Sequence, residues 1–185
     1  MPERTPPSPM DPKLLPRRAL LDTGVLIRAL GEHPTDPRSA DCREFLDAMV
    51  AVGNDVLVAA PSLAEMIRAM AVPKVPATNS IVVVPFDDQA AIVLGTTFPM
   101  VALKQLALKT GVALTYLKYD ALIAACAIRH RAEFVVSIDE RMTAQLPSSL
   151  KVAPPGAFRA KQMQLVSVDG DAQLPASTGT KPSKI

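Results

Sequence analysis

Residues 118–142 read KYDALIAACAIRHRAEFVVSIDERM. Asp120 precedes Ala121-Leu-Ile-Ala-Ala-Cys-Ala-Ile128, a run apolar on every side. A helix without a polar face is a buried helix, and Ala and Leu are strong helix formers. Arg129-His-Arg131 ends it. Phe134-Val-Val-Ser-Ile138 is short, largely apolar and β-branched, which fits a strand covered on both faces in a parallel sheet. Asp139 follows directly, and in open α/β sheets sites form beyond the carboxyl ends of the strands. The stretch thus predicts an acid opening a buried helix, then a buried strand, then a second acid on the sheet edge.

The same alternation extends outward. Strands are expected near 19–22, 56–60, 81–84 and 134–138, with a last one at Lys151-Val-Ala153. Helices are expected after Asp22, over 39–52, from Pro61 to Met70, from Asp88 through Leu94, over 100–108 and near 140–145. Strands alternating with helices predict an α/β fold with a central parallel sheet and helices on both faces. Residues 1–17 hold six prolines and read as a disordered leader, and residues 154–185 read as a flexible tail. The domain is therefore expected at 18–153.

With 185 residues and 49% hydrophobic composition, the chain can bury a real core, built from aliphatic side chains because Trp is absent. Cys42 and Cys126 are far apart and suggest neither a disulfide framework nor a zinc site. No apolar run approaches membrane-spanning length, which predicts a cytoplasmic protein without a membrane partner. The net charge of +2 conceals a split. Residues 20–150 carry 11 Lys or Arg against 14 Asp or Glu, so the excess of base lies in the two terminal segments. An acidic core with basic ends does not resemble a charge-driven nucleic-acid binder. It suits a core that gathers carboxylates around a cation.

Four acids fall at element junctions: Asp22, Glu65, Asp120 and Asp139. Each has an ordinary explanation. Asp is a favoured N-cap, and Ser62-Leu-Ala-Glu65 fits a capping box. Yet all four are expected on one edge of the sheet, and no Lys or Arg adjoins Asp22 or Glu65 in sequence. Crowded carboxylates repel unless a cation enters. A hard divalent ion such as Mg²⁺ accepts carboxylate oxygens, acidifies bound water and stabilises charge on a phosphoryl oxygen. Such a site suits phosphodiester hydrolysis.

Leu20-Leu-Asp-Thr-Gly-Val-Leu-Ile27, Ser62-Leu-Ala-Glu65, Asp120-Ala-Leu-Ile-Ala-Ala125 and Val135-Val-Ser-Ile-Asp139 resemble the four motifs of the PIN-domain ribonucleases, nearest to the VapC-type toxins of toxin–antitoxin pairs. The resemblance covers about residues 18–153, and the Asp120 and Asp139 segments are its most specific part. It implies a three-layer α/β/α fold and an endoribonuclease dependent on Mg²⁺ or Mn²⁺. The implied catalytic acids are Asp22, Glu65, Asp120 and Asp139, with Asp22, Asp120 and Asp139 on the metal. Thr23 and Ser137 fall at the polar positions beside the acids, and Arg141 is the candidate substrate contact. A small antitoxin covering the acidic edge and a homodimer are implied as partners. Gly24 departs from the Ser or Asn frequent in the family, Ser137 from its Thr, and both terminal segments lie outside the compact toxin pattern.

Two other functions compete. An aspartyl phosphohydrolase would use Asp22 as nucleophile, but that chemistry wants a second Asp where Gly24 stands. A non-catalytic PIN-like binding module would not need the full acidic set. His33 and His130 have no partner at ligand spacing, and Arg28, Arg68, Lys118 and Arg129 read mainly as solvated charges.

Overall fold

The structure, a computed structural model, describes residues 8–31, 36–69 and 78–160. His33 and the outer parts of the leader and tail lie outside the described residues. Five parallel strands form one sheet: β1 Arg18–Leu21, β2 Asp55–Ala59, β3 Ile81–Val84, β4 Phe134–Val136 and β5 Lys151–Ala153. Their order is β3-β2-β1-β4-β5. The helices are α1 Thr23–Leu30, α2 Pro37–Ala51, α3 Ala60–Ala69, α4 Asp88–Thr97, α5 Met100–Thr110, α6 Leu114–Arg129 and α7 Glu140–Gln145. This is the expected α/β/α arrangement with an all-parallel sheet.

The pleat sorts the strand side chains into two cores. Ala19, Leu21, Val56, Val58 and Val136 face α1, α2 and Met66 of α3. Leu20, Leu57, Val84 and Val135 face the layer that contains α6. Alternate residues point to opposite faces of a strand, and both faces are covered, so both sets are apolar. On α6, Ala121, Ala124, Ala125, Cys126 and Ala127 are buried. Small side chains on so many sides let this helix pack closely against its neighbours. Cys42 and Cys126 are free buried thiols, each pushed up to about 11 by burial.

Several boundaries differ from the expectation. The helix containing Asp120 begins at Leu114, six residues earlier, because Leu114 and Leu117 continue the buried stripe of Ala121 and Ala124 backwards. Asp120 therefore sits in the second turn of α6 and is no N-cap. Gly111, with φ +71°, ends α5 and lets α6 start so early. Helix α3 begins at Ala60, so Ser62 lies inside it and the expected capping box does not form. The fourth strand stops at Val136, two residues short of the expectation. Described residues on either side of 18–153 pack against it. Leu15 is buried, Met10 bridges Arg159, and a 3-10 turn at Pro155–Phe158 buries Phe158 against Phe45 and Phe134. The ring centroids lie 5.0 and 5.4 Å from that of Phe158. Among the described residues no single helix is long and apolar enough to cross a membrane, although the bent pair α4 and α5 passes by length and composition together.

Candidate active site

The chain order places the acids. It runs β1, β2, β3 outward to one side, then returns to lay β4 on the other side of β1. The strand order reverses between β1 and β4, and beyond the carboxyl ends of such a pair the chain leaves a crevice. Asp22 follows β1 and Asp139 lies three residues beyond β4. The Asp22 amide donates to the Val136 carbonyl at 3.0 Å, which ties the two strand ends together.

Asp22 stands at the N-cap position of α1, but its side chain makes no capping bond. Its Oδ2 accepts instead from the Ser137 hydroxyl at 2.9 Å. Ser137 is only 3% exposed, and its oxygen accepts from the Asp139 amide at 3.0 Å. One buried hydroxyl thus joins the two acids. Glu65, on α3, accepts from Thr23 Oγ1 at 2.7 Å. Asp139 is the one acid of the four whose side chain caps a helix. Its Oδ1 accepts from the Arg141 amide at 2.9 Å, and the Arg141 guanidinium grips both oxygens at 2.9 and 2.7 Å. Asp120 lies within α6, and its side chain makes no hydrogen bond to the described residues.

The carboxylates feel one another. Burial pushes Asp120 up to about 7, and the charges of Asp22, Asp139 and Glu65 add to the rise against the opposing pull of Arg141. Burial also raises Asp22, although the Ser137 hydroxyl draws it down. Arg141 holds Asp139 below the usual carboxylate value. The set therefore combines an acid raised to about 7 with one held below the ordinary carboxylate value.

Structure brings together every acid singled out in sequence. It gives Thr23 and Ser137 partners among those acids, and it places Arg141 in an ion pair with Asp139. Of the other bases, Arg28 pairs with Asp36 and Arg129 with Asp87, while His130 Nε2 meets the Pro85 carbonyl. Among the described residues, no three His, Cys, Asp or Glu side chains are gathered into a ready-made metal cage. Ser137 and Arg141 each engage an acid that would hold the cation, and Thr23 engages Glu65. The donor chemistry nevertheless fits Mg²⁺ or Mn²⁺: the groups are hard oxygens, they repel one another, and Mg²⁺ commonly needs one or two carboxylates with waters completing its shell.

Two cavities flank the acids. One, of about 460 Å³, is lined by Thr23, Ile27, Glu65, Arg68 and Ala69. The other, of about 370 Å³, opens beside Ser137 and Asp139 and reaches Arg38 at the start of α2. Sequence reading passed over Arg38. It lies some hundred residues from Asp139, in a helix that reads as ordinary amphipathic cover.

The PIN domain family profile matches residues 19–145, a span that includes all four acids. The chain belongs to the PIN domain family. PIN domains are generally nucleases, which are hydrolases, and typically use divalent metal ions. The same fold occurs in a chain of the crystal structure of VapBC2 from Rickettsia felis bound to a DNA fragment from their promoter. That chain is 17% identical, with a TM-score of 0.51 over 74% of this chain and 97% of that one. The sequence has no match among curated proteins. In this PIN domain the crevice between β1 and β4 is the acidic one, and Gly24 lines it without strain. A Cβ there would meet Ile138 and Asp22 Oδ2 at 3.5 and 3.6 Å, ordinary contacts.

Proposed function

We propose that this PIN domain is a metal-dependent endoribonuclease whose catalytic acids are Asp22, Glu65, Asp120 and Asp139. The observation that carries the reading is the meeting of four carboxylates from separate elements at the switch point, close enough that three of them raise the pKa of Asp120. A fold that crowds carboxylates together loses stability unless a cation offsets their repulsion.

Asp22, Asp120 and Asp139 would hold Mg²⁺ or Mn²⁺, and Glu65 would assist directly or through water. When bound, such an ion supplies charge stabilisation on the phosphoryl oxygen and a more acidic water. Ser137 fixes the Asp22 carboxylate relative to the Asp139 backbone. Thr23 holds Glu65 in one orientation. Arg141, exposed and gripping Asp139, is poised to exchange that carboxylate for a substrate phosphate, since guanidinium binds both in the same forked geometry. Asp120 must shed its proton before it can serve as an anionic ligand.

The family resemblance and the VapBC2 neighbour support a further step. We propose that the chain acts in the cytoplasm as the toxin of a pair, as a homodimer, with a small antitoxin whose basic side chain enters the acidic crevice. The decisive test of the nuclease reading is cleavage of a structured RNA by wild type and Asp120→Asn, with Mg²⁺ and with EDTA. Cleavage by wild type alone, and with metal alone, is expected. Equal cleavage by the variant would remove the central residue of the assignment.

A further inference from the structure

The 370 Å³ cavity beside Asp139 is built from four parts of the chain. Arg38 and Asp41 come from the first turns of α2, Ser137 to Glu140 from the loop after β4, Val152 and Ala153 from the end of β5, and Pro154, Pro155 and Gly156 from the turn that follows. Its size lies within the range of small-ligand pockets. Its floor is apolar and stiff, since two prolines and two short aliphatic side chains line it. Ser137 and Asp139, which belong to the acidic site, also line the cavity, which therefore adjoins the acids.

We propose that this cavity receives one base of the RNA, that of a nucleotide next to the scissile phosphate, and that it selects bases bearing an exocyclic amine. The inference rests on the nuclease reading. A flat ring suits walls of Val, Ala and Pro, and Arg38 at the rim carries the charge that a neighbouring phosphate needs. Asp41 supplies the selection. Its Oδ1 is held by Arg159 at 2.6 Å, while its Oδ2 lies 3.4 Å from where a Cβ on Gly156 would sit. Glu140 stands on the same lining. Carboxylate oxygens accept from adenine, cytosine or guanine amines, whereas uracil offers only its ring N3–H, flanked by two carbonyl oxygens that a carboxylate repels. Arg68 in the 460 Å³ cavity places a second cation beside Glu65. A single strand crossing the acids would therefore have two arginines to offset carboxylate repulsion.

Gly156→Leu is the sharpest probe. Gly156 is outside the positive-φ glycines, and a Cβ there makes only ordinary contact, so the variant should fold while its side chain fills the cavity. Amide spectra of wild type, titrated with the four nucleoside 5′-monophosphates, should shift at Val152, Ala153, Gly156 and Glu140, with uridine monophosphate weakest. The variant should lose these shifts. In a pool of randomised single-stranded RNA, wild type should prefer an amine-bearing base at one position by about tenfold, on the scale of one well-placed base contact. Gly156→Leu should bring that preference below about twofold. Arg38→Ala, the second variant, should weaken binding to all sequences alike and flatten its salt dependence. The proposal is overturned if wild-type amides around the cavity do not move, or if wild type cuts without base preference. It is equally overturned if Gly156→Leu folds and keeps the preference. If wild type cuts no RNA at all, the nuclease reading fails, whereas the monophosphate titration still decides whether the cavity binds a nucleotide.

Discussion

At neutral pH the metal-free Asp120 carboxyl, pushed up to about 7, holds its proton in roughly half of the molecules. Its folded pKa lies above the ordinary 3.8, so the stability it contributes is present in acid and is lost as pH rises through about 7. The metal-free protein should therefore melt lower at pH 8 than at pH 6. Asp120→Asn should remove this part of the slope, melt higher than wild type at pH 8, and reduce RNA cleavage at least about a hundredfold, the scale of an essential charged group. Cleavage by wild type should rise with pH across the same range. A variant as pH-sensitive as wild type in thermal melts would detach the slope from Asp120. Ser137 acts through its two neighbours. Ser137→Ala frees the Asp22 carboxylate and should lower metal affinity or activity by about ten- to a hundredfold, as loss of an outer-shell partner does. Its fold should hold, because the hydroxyl is the only group lost. Arg141→Gln leaves Asp139 without its bidentate partner. Mn²⁺ titration in the absence of RNA should show tighter binding by the variant, whereas its affinity for RNA should fall. Tighter binding of both would contradict the exchange role of Arg141.

Among the elements, α6 and the turn after β5 do the positioning. Helix α6 fixes Asp120 from within its second turn, where a capping role is impossible, so substitution at Asp120 tests chemistry with little interference from helix ends. The aligned small residues Ala121, Ala124 and Ala125 hold that turn against its surroundings. The turn at Pro155–Phe158 anchors the wall of the second cavity through Phe158, which is 4% exposed, tilted against Phe45 and edge-on to Phe134. Phe158→Ala should cost about 3–5 kcal/mol in chemical denaturation, the range for a buried aromatic. A cost below about 1 kcal/mol would place that turn outside the cooperative core. Arg159 strengthens the same seam with ion pairs to Asp41 and Glu44.

For the whole molecule, the linkage between folding and cation binding is the broadest test. Mg²⁺ bound to the native state alone stabilises it by mass action, about 2.7 kcal/mol at a hundred times its Kd. The melting temperature of wild type should rise with Mg²⁺ and level off, and Asp120→Asn should lose most of the rise. Co-expression with a candidate small antitoxin should give a complex that neither melts with Mg²⁺ dependence nor cuts RNA, since both ligands would need the same crevice. A complex that retains full cleavage would move the partner elsewhere on the surface.

By itself the sequence determined the layers and singled out the four acids as candidates. Buried strands in a doubly covered sheet must be apolar throughout, and Arg18–Leu21, Asp55–Ala59 and Phe134–Val136 are nearly so. Acids at the ends of such runs are legible because nothing in the core can neutralise them there. Local pattern could not tell where α6 begins, since Lys118 and Tyr119 read as a polar approach while Leu114 and Leu117 complete a stripe that only packing against the second core makes visible. Nor could it tell a cap from a site. Asp22, Asp120 and Asp139 look alike in sequence, yet Asp22 is bonded to a serine 115 residues away, Asp120 lies inside a helix, and Asp139 alone caps. Long-range contacts decided these differences, along with the meeting of Arg38 and Gly156 around one cavity. Hydrogen bonds and electrostatics depend on distance in space, and the strand crossover from β3 back to β4 sets those distances.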